Sequence, residues 1–487
     1  MLNVIDLIIV IVFMLAMLYI GFRSSKKIHT SRDYVVAGGG LSFGVTLATM
    51  VATGMGAGNL FGRSGYAYNA GAAMTMAMIG SLAANITVAI FSMKIEKYKG
   101  VITLPQLFSR FWGKTGTAYY TRLAAGGITT LYNALLLGTQ FVAFGTLFTL
   151  LGSPLGVTPQ LAMAFGALVT IVYTGVGGMH SVAYTDVVQF VVMMVGIVII
   201  GPIVAVNAAG GYSVILENAA AAGISAFNPF SARSPQEIAS LFLVGWFLNS
   251  VDPYIWQRVF SAKSFKIARR AAIINSIICF FFCLALVQMA LAGRVLLPDI
   301  VATHGTTEAI LPTLILTAFP TGIIGIMLSG CLATLMSTAD SYLLQASLSL
   351  VKDVVVFLKP EMSEEKQVRL LKISTIVMGL FGLVVALFAK GVFSALSFSF
   401  SVYGAALFVP TLCGLYWKKT TAAGALVSML VGALVVIYGF FANWYPGGWD
   451  PVLPGIIAAI VCLVIVSLLT QKQGIVRQPE EAEVYAE

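Results

Sequence analysis

The sequence predicts an all-α integral membrane protein of about thirteen transmembrane helices, and three observations carry that expectation. Of its 487 residues 59% are hydrophobic and only 10% are charged, with a mean hydropathy of +0.94; a soluble domain carries about 25% charged residues. The apolar residues fall into runs long enough for the roughly 20 positions that a helical crossing needs. The basic residues are distributed unevenly between alternate loops, as the positive-inside rule requires.

The runs lie near 2–22, 41–69, 71–93, 121–152, 160–178, 182–206, 236–257, 267–295, 318–357, 367–389, 391–416, 420–441 and 452–470. The first has no basic stretch before it and is followed by Arg23, Lys26 and Lys27, so it reads as a retained span and not as a cleaved leader. Counting from the loop after that span, alternate loops and the tail hold 24 of the 28 Lys and Arg, leaving Arg63, Arg233, Arg294 and Lys390. The bias places the N-terminus outside and the C-terminus in the cytoplasm. It accounts for the net charge of +9 as topology, so no nucleic-acid partner is expected. No polar stretch reaches the roughly 100 residues of a separate soluble domain.

The second run contains Ala52-Thr53-Gly54-Met55-Gly56-Ala57-Gly58-Asn59. Three alternate glycines, each costing a helix about 1 kcal/mol relative to alanine, favour unwinding there. Close packing through Gly54 and Gly58 is the plainer reading of that segment alone. The seventh run is interrupted too, at Gly245-Trp246-Phe247-Leu248-Asn249-Ser250-Val251-Asp252-Pro253, where polar residues and a proline break an apolar helix. Interruptions five helices apart are the spacing of two inverted five-helix repeats, spans 2 to 6 and 7 to 11, with freed carbonyls near the bilayer midplane. In the ninth run Thr334, Ser337, Thr338 and Ser341 fall at i, i+3, i+4 and i+7, one hydroxyl stripe. Such hydroxyls commonly bond back to their own helix. A stripe of four beside a helix break, with hard oxygen donors, suits an alkali cation.

Other chemistries are excluded on the residues. The five cysteines lie within apolar runs without a CxxC pair, and the three histidines form no HExxH. Gly113-Lys114-Thr115 lacks the earlier glycine of a phosphate loop, that position being Phe108. No nucleophile, base and orienting group cluster in the sequence, so an enzyme is not expected. Three carboxylates lie well inside apolar runs, where each costs about 2.5 to 3.5 kcal/mol on insertion scales and so needs a partner or a role. Of these, Asp186 is assigned a functional role, Asp252 a capping or bracing one, and Asp340 a structural pairing.

At these residues the chain resembles the sodium/solute symporter family, relatives of the sodium/proline and sodium/galactose symporters. The resemblance runs from about Asp33 to Thr421 and is carried by residues 52 to 62, Gly177-Gly178 with Thr185-Asp186-Val187-Val188-Gln189, the segment from Gln257 to Ser264, Met336-Ser337-Thr338-Ala339-Asp340-Ser341, and the segment from Gly414 to Thr420. It implies a five-plus-five inverted-repeat core of the LeuT type. The chain would divide into an N-terminal helix and loop (1–40), a first repeat (41–206), a second repeat (236–416), and two C-terminal helices with a tail (417–487). The resemblance further implies a sodium site made by the carbonyls of Ala52, Met55 and Thr334 and the hydroxyls of Ser337 and Thr338. It puts Asp186 where the family has a conformational or second-ion carboxylate. Gly54 departs from proline-type members, which carry an acidic residue there.

A substrate pocket is expected between spans 2, 4, 7 and 11, with Asn59, Gln140, Trp246, Asn249 and Tyr403 as candidate contacts; helix packing is the competing role for each. These candidates include no Arg or Lys, Arg63 being assigned to the outer end of its span, which argues against a charge pair with an anionic substrate. The expected function is sodium-coupled import of a small polar solute, an amino acid or organic acid, by alternating access, in a bacterial plasma membrane. The expected partners are that solute, sodium ion and the lipid bilayer. A proton-coupled version acting through Asp186, and a sodium-responsive sensor or passive channel, are the alternatives.

Overall fold

The computed structural model describes residues 3–471 apart from 25, 27, 153–156, 231–233 and 389–391. Lys27, Arg233, Lys390 and the tail beyond Gln471 lie outside the described residues. Among the described residues there is no strand, only one parallel bridge between Leu41 and Ala262.

Ten helices are long and apolar enough to cross a membrane, and eleven if Pro235–Val251 and Pro253–Ser261, bent by 40° at Asp252, form one span. The sequence gives the higher expected number because two pairs of expected spans run into each other without a loop. The run 71–93 joins the second half of the run 41–69 as Gly58–Ile95, while 160–178 and 182–206 join as Pro159–Ala208. Each joint is a glycine at positive φ, Gly71 at 57° and Gly178 at 49°. At Gly178 a Cβ would meet the Tyr34 carbonyl oxygen at 2.6 Å, so both the backbone angle and the space demand glycine. At 1.5 Å per residue a 50-residue helix is about 75 Å long, far beyond a hydrocarbon core of about 30 Å, and a turn at that joint resolves the mismatch.

The two broken helices and the hydroxyl-bearing helix form the centre. Ile323–Leu348 is almost wholly buried and packs against Phe43–Gly54, Thr117–Gly152 and Pro159–Met193. The first helix, Val4–Ser24, lies outside this core, with Ile8, Ile11, Val12 and Leu15 exposed as a lipid-facing surface requires. Its buried Asp6 accepts the Gly322 and Gly325 N–H groups at 2.7 and 2.9 Å, capping the start of Ile323–Leu348. At the other end of the bundle the Leu41 N–H donates to the Ser261 carbonyl at 3.0 Å and the Lys263 N–H to the Leu41 carbonyl at 2.9 Å. This pair of bonds ties the start of the first broken helix to the end of the second.

Candidate functional site

The first helix break is at Met55, where the backbone leaves the helix (φ −108°, ψ 36°) and resumes as a π-helical turn, Gly58–Arg63. Every polar group freed by a break inside a membrane must find a partner, and here most find one on a neighbouring helix. The Ala57 N–H donates to Gln140 Oε1 at 2.8 Å. Asn59 Nδ2 donates to the Gly54 carbonyl at 2.8 Å. On the other side of the break the hydroxyl stripe engages the carbonyls: Ser337 Oγ donates to Ala52 O at 2.9 Å, and Thr338 Oγ1 donates to Thr53 O at 2.9 Å. Both hydroxyls also lie 3.1 Å from the Thr334 carbonyl oxygen.

Ala52, Thr334, Ser337 and Thr338 are thus brought together as one cluster of buried, uncharged oxygens. Met55 sits at the break itself, its N–H 3.4 Å from the same Ala52 carbonyl. Gly56 makes the approach possible. A Cβ there would stand 2.5 Å from Thr338 Cγ2 and 2.9 Å from Gln140 Oε1.

One helical turn away lies a charged network. Arg258, fully buried, reaches Asp186 Oδ2 at 3.5 Å. It donates from Nε to Thr49 Oγ1 at 3.2 Å, and from Nη2 to Thr53 Oγ1 at 2.9 Å and Ser341 Oγ at 2.5 Å. The Thr49 hydroxyl donates to Asp186. Arg258 therefore belongs to the protein interior and not, as its position after the seventh run suggested, to a basic loop. Asp340 adjoins this pair: it accepts the Tyr173 hydroxyl at 2.7 Å and lies 3.2 Å from the Ser341 hydroxyl that Arg258 engages. Asp252 caps the second half of its broken helix through the Tyr254 N–H at 3.2 Å and accepts the Tyr132 hydroxyl at 2.9 Å.

Beside the first break is a cavity of about 40 Å³. On a scale where one water needs about 10–15 Å³, it has room for a small solute fragment. Of the five candidate solute contacts, Asn59, Gln140 and Asn249 line it. Trp246 and Tyr403 do not. The Trp246 indole turns to Thr87 Oγ1 at 3.0 Å, and Tyr403 stacks on Tyr132 and bonds Thr129 Oγ1 at 3.2 Å. Sequence reasoning missed Ser81, Asn85, Asn275 and Arg63 on the cavity wall. The i, i+4 pairs Ser81/Asn85 and Asn59/Arg63 were the available signal. Arg63, which the sequence puts near the outer end of its span, is 6% exposed and lines the cavity. A second cavity, about 500 Å³, extends from Arg63, Leu396 and Phe400, shared with the first, to Ser234, Gly448 and Asp450.

Comparison with known proteins places these features in context. Residues 34–432 match the model of the sodium:solute symporter family. The sodium/proline symporter of Escherichia coli strain K12 is 28% identical, the match covering 98% of this chain and 95% of that protein. Among solved structures, a Na+-coupled sialic acid symporter in a substrate-bound outward-open state superposes with a TM-score of 0.81 at 22% identity, over 96% of this chain and 98% of that one. Mhp1, a nucleobase-cation-symport-1 family transporter, superposes with a TM-score of 0.57 at 12% identity, over 92% and 96%. These likenesses establish the LeuT-type fold.

Proposed function

The chain belongs to the sodium:solute symporter family, and from that membership we propose that it imports a small polar organic solute, an amino acid or organic acid, by alternating access. Sodium is the coupling ion, and the protein is a multi-pass membrane transporter and not an enzyme. The relatives' names, proline for the Escherichia coli protein and sialic acid for the solved symporter, support a polar solute that carries a carboxylate.

The sodium ion takes the carbonyls of Ala52, Met55 and Thr334 and the hydroxyls of Ser337 and Thr338. One observation carries this assignment: the Ser337 and Thr338 hydroxyls close at 2.9 Å onto the Ala52 and Thr53 carbonyls beside the break in another helix, while the Thr334 carbonyl of their own helix lies 3.1 Å from both. Without an ion these hydroxyls donate to the carbonyls. When sodium binds they rotate so that both groups present lone pairs, which costs no change of fold. Asp186 acts as a conformational carboxylate through Arg258, linking the sixth expected span to both broken helices. The two repeats are residues 41–206 and 236–416, and the Lys and Arg bias supports an N-terminus outside and a C-terminus in the cytoplasm. In that orientation the larger cavity opens outward.

The solute occupies the cavity between Asn59, Gln140 and Asn249. Gly54, where proline-type relatives carry an acid, has the Tyr254 hydroxyl 3.0 Å from where a Cβ would be, so the solute is held differently here. Binding of radioactive sodium to purified protein tests the ion site, wild type against the Ser337→Ala, Thr338→Ala double variant. Saturable binding that the double variant loses is the expected result; equal binding by both would remove the site.

A further inference from the structure

We propose that Arg63 is the residue that selects the solute, by pairing with a carboxylate, so that the cargo is a small organic anion or amino acid and not a neutral sugar or polyol. The proposal rests on the symport reading above and names the chemistry of the solute within it.

Three arginines are buried; Arg122 pairs with Asp353 and donates to Ser109 Oγ and the Lys352 carbonyl, and Arg258 and Arg63 differ from each other in one decisive way. Arg258 is fully satisfied, by Asp186, three hydroxyls and the Gln257 side-chain oxygen at 2.9 Å. Arg63, at 6% exposure, makes one hydrogen bond, from Nη1 to the Met78 sulfur at 3.3 Å. A thioether is a weak acceptor and a guanidinium has five donors, so most of its hydrogen-bonding capacity is unused. Among the described residues no carboxylate lies within ion-pair distance of it; the pairs formed are Arg122 with Asp353, Arg258 with Asp186, and Arg269 with Glu96. Its other donors are not sealed inside the protein: no Arg63 nitrogen is among the buried atoms without a partner, so they open onto the cavity, where a solute carboxylate can reach them.

The position fits that role. Arg63 and Met78 both line the smaller cavity with the neutral amides of Asn59, Asn85 and Asn249, and Arg63 also forms part of the floor of the larger cavity. A solute passing from one to the other meets this guanidinium. Asp252, the carboxylate on the smaller cavity's wall, already accepts the Tyr132 hydroxyl and the Tyr254 N–H, so it is engaged with the protein's own donors. A carboxylate fits the guanidinium through two parallel hydrogen bonds. A neutral polyol leaves Arg63 unpaired and is rejected for that reason.

The test uses the full chain reconstituted in proteoliposomes with an inward sodium gradient, reading uptake of radiolabelled solute, which registers electroneutral as well as electrogenic symport. The probes are acetate, L-lactate, pyruvate and L-proline, each against its amide, with D-galactose and myo-inositol as neutral solutes. The expected result is sodium-dependent uptake of at least one carboxylate and none of its amide or the neutral solutes. Arg63→Gln should lower that uptake at least tenfold while binding radioactive sodium as wild type does, and Arg63→Lys should restore part of it with a raised KM. Uptake of galactose or inositol, carboxylate uptake that survives Arg63→Gln, or no uptake of any of these carboxylates by sodium-binding protein would overturn the proposal. If wild type binds no sodium, the coupling reading fails instead. The carboxylate proposal is then decided by thermal melting: stabilisation by one of these carboxylates in wild type but not in Arg63→Gln sustains it, and no such difference overturns it.

Discussion

The Ser337 hydroxyl and the Ala52 carbonyl, 285 residues apart in the chain, meet at 2.9 Å in the interior. Neither group is unusual alone. A serine hydroxyl in a helix ordinarily bonds back to its own turn, and an Ala carbonyl is ordinarily consumed by the helix it belongs to. Because the helix stops at Met55, the carbonyl's usual partner is missing, and the hydroxyl of another helix takes that place. An ion that replaces this contact must hold the two helices in the same register, which is how occupancy of the site can be felt by both repeats.

The closeness of Gly56 to this contact predicts a specific failure. In Gly56→Ala the new methyl falls 2.5 Å from Thr338 Cγ2 and 2.8 Å from its Oγ1. Overpacking of this kind costs about 1–3 kcal/mol, and sodium affinity should fall at least tenfold as Thr338 is displaced. Adding Thr338→Ser removes Cγ2, the nearest clashing atom, and should recover part of both losses. Sodium binding and thermal melting of the single and double variants check this; an undiminished affinity in Gly56→Ala would mean that Thr338 is not a ligand.

The pair formed by Asp186 and Arg258 should behave as one unit. Breaking a buried ion pair by removing one partner costs about 3–5 kcal/mol, chiefly because the other charge is left without compensation. Asp186→Asn and Arg258→Gln are each expected to lower the melting temperature in detergent markedly. The double variant should lie well above the sum of the two losses, since residues in contact are not additive. Strict additivity would show that the 3.5 Å approach carries no coupling.

Much of this arrangement was legible in the chain, and what was not has a physical reason. The two interruptions were visible because glycine and proline act locally, Pro253 by lacking an N–H and Gly54 and Gly56 by weakening the helix. The hydroxyl stripe was visible because helical period is a property of one element. Arg258 was misplaced because burial depends on other elements: Thr49, Thr53, Asp186 and Ser341 lie on three other segments, and only their convergence makes room for a guanidinium. The rotation of a helix about its own axis is likewise tertiary information. Trp246 and Tyr403 have the right chemistry for a solute but face Thr87 and Tyr132.

A pH effect is expected outside the membrane-spanning part, at the capping box of the short helix Ser31–Val36. Burial would raise the Asp33 carboxyl, but the Thr30 hydroxyl, then the Thr30 and His29 backbone N–H groups, hold it below its ordinary value of 3.8. A carboxyl lowered on folding contributes stability that is complete above the unfolded value and is lost as pH falls through the folded one. Asp33→Asn should therefore reduce the melting temperature at pH 7 and diminish its dependence on acid below pH about 4, the ordinary carboxylate range. Melting curves from pH 7 to 3 distinguish this from an uncharged cap, for which wild type and variant would run parallel.

Gln140 performs two tasks that substitution can separate. Its Oε1 takes the Ala57 N–H at 2.8 Å, the donor exposed by the first helix break, and its side chain also lines the smaller cavity. Gln140→Leu fills similar space and removes the acceptor, leaving a buried N–H at a cost of about 1–3 kcal/mol. Gln140→Glu keeps the acceptor and adds negative charge to the cavity wall. The leucine variant should therefore show faster hydrogen exchange at Ala57 and weaker sodium binding, because the break is no longer pinned. The glutamate variant should keep the slow exchange and lose transport of an anionic solute, since its carboxylate competes with the solute for the cavity's positive charge. Normal exchange in Gln140→Leu would mean that the break is held by Ser337 and Thr338 alone, and the ion site would then have to be understood without its fourth-span support.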